Sequence, residues 1–360
     1  MMRIDWRWGL AGLLIVMIGW GMRWTFSYDF DPVYWENYYY NSQWNIPNSK
    51  RVIPDEGVYR YIGYRLVNGE NPFNVDYWVP PLGKYVYGLG AKYLDNPYWI
   101  SWFWFLGLIF LTSWLSKNWW AVILVASNPL IVSQVGLTML DLPQAVFLAL
   151  SVGWLVKDRG GLAGLALGLM MGVKIGVFVP MPGMVAMYYL WKKSKSIKRI
   201  GWFLLFVLGG YMLAYACYFL VHPNPVPWIR LHEKIINFWR SSGARPNPVN
   251  VFGYLFLNKY NQVLDASRVW MAAREWTLFF PMSILMMMKM WTRKMDLKQK
   301  YLLMTATGWI IVCAMLDFWP RYFVPILPVI TITVVDFVKN QKWWLVVMLL
   351  ANLTGLARLL

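Results

Sequence analysis

DEGVYRYIGYRLVNGENPFNVDYWVPPLGK, residues 55–84, is the stretch around which the rest of the chain is read. Asp55 is a favourable N-cap. Tyr59, Ile62 and Leu66 recur at helical spacing, so residues 56–67 predict a short amphipathic helix. Gly69, in the turn Asn68-Gly69-Glu70-Asn71-Pro72, suits its C-terminal stop. Taken alone, this much reads equally well as a surface loop with a capped helix. The next element decides the threading. Residues 80–94, PPLGKYVYGLGAKYL, are apolar but contain Lys84 and Lys92. They fall short of the roughly 20 residues that a spanning helix needs. They predict an interfacial or re-entrant helix whose Pro80-Pro81 start lies at a membrane surface.

The rest of the chain supplies that membrane. Of 360 residues, 59% are hydrophobic and 14% charged, against roughly 25% charged in a soluble domain. Mean hydropathy is +0.41, and long apolar runs recur from start to finish. The composition predicts an all-α, polytopic integral membrane protein. Residues 8–26, after Arg3 and Arg7, read as a retained signal anchor, because Met22-Arg23-Trp24 is no cleavage site. Further spans are expected near 97–115, 119–136, 142–156, 161–179, 180–191, 200–221, 276–292, 301–317, 322–338 and 343–358.

Basic residues test the threading. With the N-terminus cytoplasmic and 80–94 not crossing, Lys117, Lys157, Arg159, the 192–199 cluster, the 293–300 cluster, Lys339 and Lys342 all fall on the cytoplasmic side. Counting 80–94 as a crossing would put KKSKSIKR and TRKMDLKQK outside. The expectation is therefore about eleven transmembrane helices in one domain spanning 1–360, with no soluble C-terminal domain. Two large outer loops, 27–96 and 222–275, stand on the extracytoplasmic face, and the first carries juxtamembrane helices. Asp29 to Lys50 shows no clear period. This placement accounts for the net charge of +17 without nucleic acid as a partner.

In the second outer loop, Trp228, Leu231, Ile235, Phe238 and Trp239 recur every three or four residues. They predict an amphipathic helix lying on the outer membrane surface. His222 and His232 in that loop read as structural. Cys217 and Cys313 lie in apolar runs and form no disulfide framework. No cluster has metal-ligand spacing, so the sequence requires no cofactor; the Asp55-Glu56 pair could bind a divalent ion with other carboxylates, but nothing in the sequence requires it. The 25 tryptophans read first as interfacial belts.

A large first outer loop with an Asp-Glu pair, followed by Pro-Pro-Leu before the second span, resembles the GT-C superfamily of membrane glycosyltransferases. The nearest likeness is to protein O-mannosyltransferases and lipid A aminoarabinose transferases. Three later motifs extend it in order. Thr138-Met139-Leu140-Asp141-Leu142-Pro143 resembles the family's second acidic motif. GLAGLALGLMMGVKIGVFVP, 161–180, resembles its Gly-rich span with a lysine near the outer end, here Lys174. Arg321-Tyr322-Phe323-Val324-Pro325 resembles its late Arg-Tyr-x-x-Pro element. The chain departs in the long gap between its first apolar run and Asp55.

The resemblance implies an extracytoplasmic active site in a cytoplasmic or ER-type membrane. A sugar would pass, with inversion, from a polyprenyl-phosphate donor to a hydroxyl of a protein, lipid or glycan acceptor. The chemistry agrees. A hydroxyl is a poor nucleophile and needs a base in reach; Asp55 is the candidate, with Glu56 second, and Asp141 orients an acceptor or a cation. The departing phosphate needs cations, for which Lys84, Lys174 and Arg321 are the candidates, with Tyr59 and Tyr322 beside them. A lysine inside an apolar span is costly and usually functional. Two other classes fit the same residues: a transporter or flippase of lipid-linked sugar, and an inactive family member serving as an assembly subunit. A transporter often shows two related halves, and no such repeat is visible.

Overall fold

The computed structural model describes residues 6–174, 176–241, 247–264 and 267–360. Among these the strands are Tyr260–Leu264 and Ser267–Met271, paired antiparallel; nearly all other regular structure is helical. Tyr98–Ser116, Pro320–Val338 and Lys342–Leu359 are long and apolar enough to cross a membrane. A fourth span results if Trp119–Ala126 and Pro129–Gly136, bent by 51°, are taken together. The bend has a local cause. Asn128 accepts hydrogen bonds from the Leu130 and Ile131 N–H groups and restarts the helix, while Pro129 has no N–H to continue the preceding turn.

Other expected spans coincide with shorter apolar helices, among them Trp8–Gly21, Asp141–Val156, Gly160–Val173 and Phe279–Trp291. The run at 200–221 is two helices, Ile197–Leu213 and Ala216–Val221. The Pro80-Pro81 element leads into a helix at Leu82–Tyr93 of 12 residues, well short of a spanning length.

The segments 27–96 and 222–275 hold more structure than their sequence announces. Pro32–Tyr40 is helical because Asp31 accepts from the Val33 and Tyr34 N–H groups and Pro32 suits a first helical position. Pro248–Leu257 and the hairpin are likewise additions. The expected amphipathic helix is present at Pro225–Ser241, but its face is used differently. Trp228, Leu231 and Ile235 pack on Tyr211, Tyr215 and Tyr218 of the chain itself, so that stripe covers protein rather than lipid. The side chains of Phe238 and Trp239 lie outside the described residues. His232 helps hold this packing. Its Nδ1–H donates to the Trp228 carbonyl at 2.6 Å and its Nε2 meets the Tyr211 hydroxyl at 2.6 Å. Burial pushes the imidazole below its ordinary pKa, which keeps Nε2 an acceptor.

Two close approaches set the frame for the site. Gly63 of the Asp55–Val67 helix faces Gly88 of the Leu82–Tyr93 helix, and a Cβ on either would overlap the main chain of the other. Glycine is needed there because the backbones touch. In the same way Gly164 and Gly168 lie on the backbone of Ile197–Leu213, whose Gly210 faces the Leu165 carbonyl in return. Small residues at such crossings are how apolar helices associate where lipid is as apolar as leucine.

Candidate active site

The Asp55–Val67 helix starts one residue earlier than its spacing predicts, and its N-cap is Pro54 without a side-chain bond. Asp55 is therefore not the cap that the sequence proposes. Its carboxylate reaches outward to Arg321, whose Nη2 donates to Oδ2 at 2.6 Å. The exchange is physically reasonable. A carboxylate on the first turn is favoured by the helix dipole without making a capping bond, and an ion pair to arginine is a stronger hydrogen bond than a neutral one.

Arg321 comes from the 3₁₀ segment Pro320–Ile326. Its guanidinium also lies 5.2 Å from the Trp319 ring centroid, and Nη1 is 3.8 Å from the Met139 sulfur. Among the described residues, Asp55 is the carboxylate in ion-pair range of it. Tyr322 is anchored through its carbonyl, which accepts from Trp309 Nε1 at 2.7 Å. Its ring centroid lies 4.9 Å from Lys174 Nζ.

Lys174 belongs to a second pair, donating to Asp141 Oδ1 at 2.5 Å. The lysine directly follows the Gly160–Val173 helix and has extended backbone (φ −142°, ψ 176°). Asp141 opens the helix Asp141–Val156. Both pairs thus share one plan: an acid on the first turn of a helix, and a cation where a helical run is interrupted. Irregular backbone at membrane depth is tolerated only where protein or a cavity surrounds it. The pairs differ in access. Side-chain exposure is 37% for Asp55 and 21% for Arg321, but 1% for Asp141 and 5% for Lys174. Arg321 lies within electrostatic reach of Asp141 as well as Asp55, so the two pairs form one cluster.

Tyr59, on the same helix as Asp55, is buried and senses the charges of Asp55, Arg321, Asp76 and Asp141. Burial holds its phenol well above the usual range. Glu56 sits beside Asp55, and burial raises its carboxyl above the ordinary carboxylate value, against the pull of Arg60 and Arg321. Thr138, from the second acidic motif, donates to the Glu56 carbonyl at 2.7 Å, tying the two motifs together.

Lys84 stands apart from the two other candidate cations. It is wholly buried. Its ammonium donates to the Asp76 carboxylate at 3.0 Å, the Asp76 carbonyl at 2.8 Å and the Val79 carbonyl at 2.6 Å. An ammonium has three donors, so Lys84 is fully occupied across the Pro80-Pro81 corner. Burial pushes Lys84 down and Asp76 up, while their mutual attraction opposes both shifts.

Asp76 and Arg60 are the residues that sequence reasoning missed. Arg60 is buried with its guanidinium 4.5 Å from the Trp35 centroid, 5.5 Å from Tyr28 and 5.3 Å from Tyr98. It donates to both tyrosine hydroxyls and to the Glu56 carbonyl. A faint signal existed, since Arg60 follows Glu56 by one helical turn. Asp76 had none, because its partner lies beyond two prolines.

No protein-family model matches this sequence, and no curated protein does. The fold does have solved counterparts. The crystal structure of ArnT from Cupriavidus metallidurans in the apo state is similar with a TM-score of 0.58 at 14% identity, covering 81% of this chain and 56% of that one. The same protein bound to undecaprenyl phosphate gives a TM-score of 0.56 at 14% identity, with 81% and 57% covered. At this identity the likeness is one of fold. It matches the GT-C resemblance read from the motifs, and the chain spans little more than half the length of those structures.

Proposed function

We propose that the chain is a GT-C type glycosyltransferase that moves a sugar from a polyprenyl-phosphate donor to an acceptor hydroxyl on the extracytoplasmic side, with inversion. One observation carries the reading: Asp55 and Arg321, from opposite ends of the sequence, meet at the accessible side of a cluster whose other acid and base are buried. Support comes from the similar fold of ArnT, which has been crystallised with undecaprenyl phosphate.

In this mechanism the acceptor oxygen attacks the anomeric carbon as the bond from that carbon to the phosphate oxygen breaks. Asp55 takes the hydroxyl proton. Arg321 holds the departing phosphate, with Lys174 adding positive potential from behind. Without donor, Arg321 and Asp55 neutralise one another. A phosphate drawing Arg321 to itself would take away the hydrogen bond that Asp55 accepts, so the base would be released when the donor is in place. Lys84 braces the corner that carries Asp76 in this scheme and does not meet the donor.

The finer topology belongs to the same proposal: about eleven crossings, with 27–96 and 222–275 outside and the 192–199 and 293–300 clusters inside. Cysteines introduced at Asn68 and Ser194 should label from opposite sides of sealed vesicles; labelling from one side rejects the threading. The activity is tested by incubating the purified protein with radiolabelled polyprenyl-phosphate sugars and cell-envelope acceptors. Label passing to an acceptor supports transfer. Label crossing a vesicle bilayer while still linked to its lipid would replace the proposal with a flippase.

A further inference from the structure

A second basic centre lies outside the cluster. Between the short helix Pro72–Val75 and the Pro225–Ser241 helix is a cleft of about 540 Å³, lined by Phe73, Asn74, Tyr77, Leu231, Arg230 and Lys234. Its size is within the roughly 300–1,000 Å³ typical of small-ligand sites. Arg230 and Lys234 are exposed and one helical turn apart, so their heads project to the same side. Among the described residues no carboxylate lies in ion-pair range of either. That contrasts with Lys174 and Arg321, each of which holds a carboxylate.

The remaining walls narrow the ligand. Phe73, stacked on Tyr218 at 4.1 Å between centroids, and Tyr77 give firm aromatic surface. The exposed Asn74 amide can both donate and accept. Cations, aromatic faces and an amide together suit a charged sugar: its C–H faces pack on rings, its hydroxyls meet the amide, and its anion meets the cations.

A bulk lipid headgroup suits the cleft less well. Of the exposed apolar residues of the helix, Ile229 and Ile236 fall on the flank away from Arg230 and Lys234 at 100° per residue, and Val226 alone lies one turn before Arg230 on its side. Packing links the cleft to the cluster: the aromatic layer that holds Phe73, Tyr77 and Leu231 also takes in Met171, three residues before Lys174. Asp76, between Asn74 and Tyr77 in sequence, senses the charge of Asp55. Its own charge reaches Tyr215, in the aromatic layer that packs with Phe73 and Tyr77.

We propose that this cleft is the acceptor subsite and that the acceptor is an anionic saccharide, a sugar unit bearing phosphate or carboxylate. Calling the ligand an acceptor rests on the glycosyltransferase reading; the presence of the site does not. The test uses the full-length Asp55→Asn chain in detergent, titrated calorimetrically with glucose 1-phosphate, glucuronic acid, glucose and inorganic phosphate. An anionic sugar should bind more tightly than both glucose and inorganic phosphate, and the tighter of the two identifies the anion. In that background the pair Arg230→Gln and Lys234→Gln should weaken it about tenfold or more, as loss of charge-assisted hydrogen bonds requires.

Binding no tighter than glucose, equal binding of inorganic phosphate, or undiminished binding by the double variant overturns the proposal. In the transfer assay, with Asp55 intact, the double variant should raise the acceptor KM and leave the donor KM unchanged. Sugar binding that depends on the two cations, in a protein that transfers nothing, would sink the glycosyltransferase reading and leave the saccharide site standing. Normal transfer with an unchanged acceptor KM would sink the acceptor assignment alone.

Discussion

The Asp55–Arg321 and Asp141–Lys174 pairs have the same construction and different surroundings. Each acid begins a helix, and each cation lies beside a break in helical structure. Yet Asp55 is about a third exposed while Asp141 is sealed in. An accessible pair can exchange partners with a ligand at little cost. A sealed pair cannot, because separating buried charges leaves each without compensation. Under the proposed function the difference divides the labour: the accessible pair would serve the chemistry, and the sealed pair would supply fixed charge.

The sharpest way to break this comparison is Asp55→Asn. Because Asp55 makes no capping bond, the amide disturbs the helix little, and it cannot take a proton. Folding and donor binding should persist while transfer falls by roughly 10²–10⁴-fold. Turnover near that of the unaltered protein would move the base to Glu56 or Asp141.

The inner pair should respond in stability first. Lys174→Met leaves the Asp141 carboxylate buried and unpaired, and a loss of about 3–5 kcal/mol is expected. Adding Asp141→Leu should restore much of it. Thermal unfolding of the single and double variants measures this; a single variant as stable as the parent would mean that the pair is not sealed.

The smallest effect concerns Glu56. Burial raises its carboxyl in the folded state, so the native protein holds that proton more firmly than the unfolded chain. The resulting stabilisation is present below the ordinary carboxylate value and is lost as pH rises through the raised one. Glu56→Gln should therefore flatten the pH dependence of stability in that range and leave the protein slightly more stable above it. A pH profile of thermal midpoints superimposable on that of the unaltered chain would show that Glu56 is not desolvated.

Much of the frame was legible because its signals are local. The helix after Pro54, the stop at Gly69, the short helix after Pro80-Pro81 and the Gly-rich run each follow from spacing, glycine and proline over a turn or two. Pro32–Tyr40 and the hairpin were hidden, since caps and strand pairing leave weak periodic traces in aromatic, polar sequence. The two faces of Pro225–Ser241 show the limit of a pattern: spacing identified the apolar stripe, but only the neighbouring tyrosines determine whether it meets protein or lipid.

By itself the sequence determined the membrane class, the resemblance to GT-C enzymes and the kinds of residue that carry charge into apolar surroundings. Hydropathy, the placement of lysine and arginine, and motif order are properties of the chain alone. Tertiary structure decided which charges meet. Lys84 and Lys174 look alike in sequence, each a lysine in an apolar run, yet one is closed off by Asp76 and two carbonyls and the other stands beside Asp141 and Tyr322. Asp55 and Arg321 are joined across most of the chain. Ion pairing falls off within a few ångströms, and only packing brings residues so distant in sequence to that range.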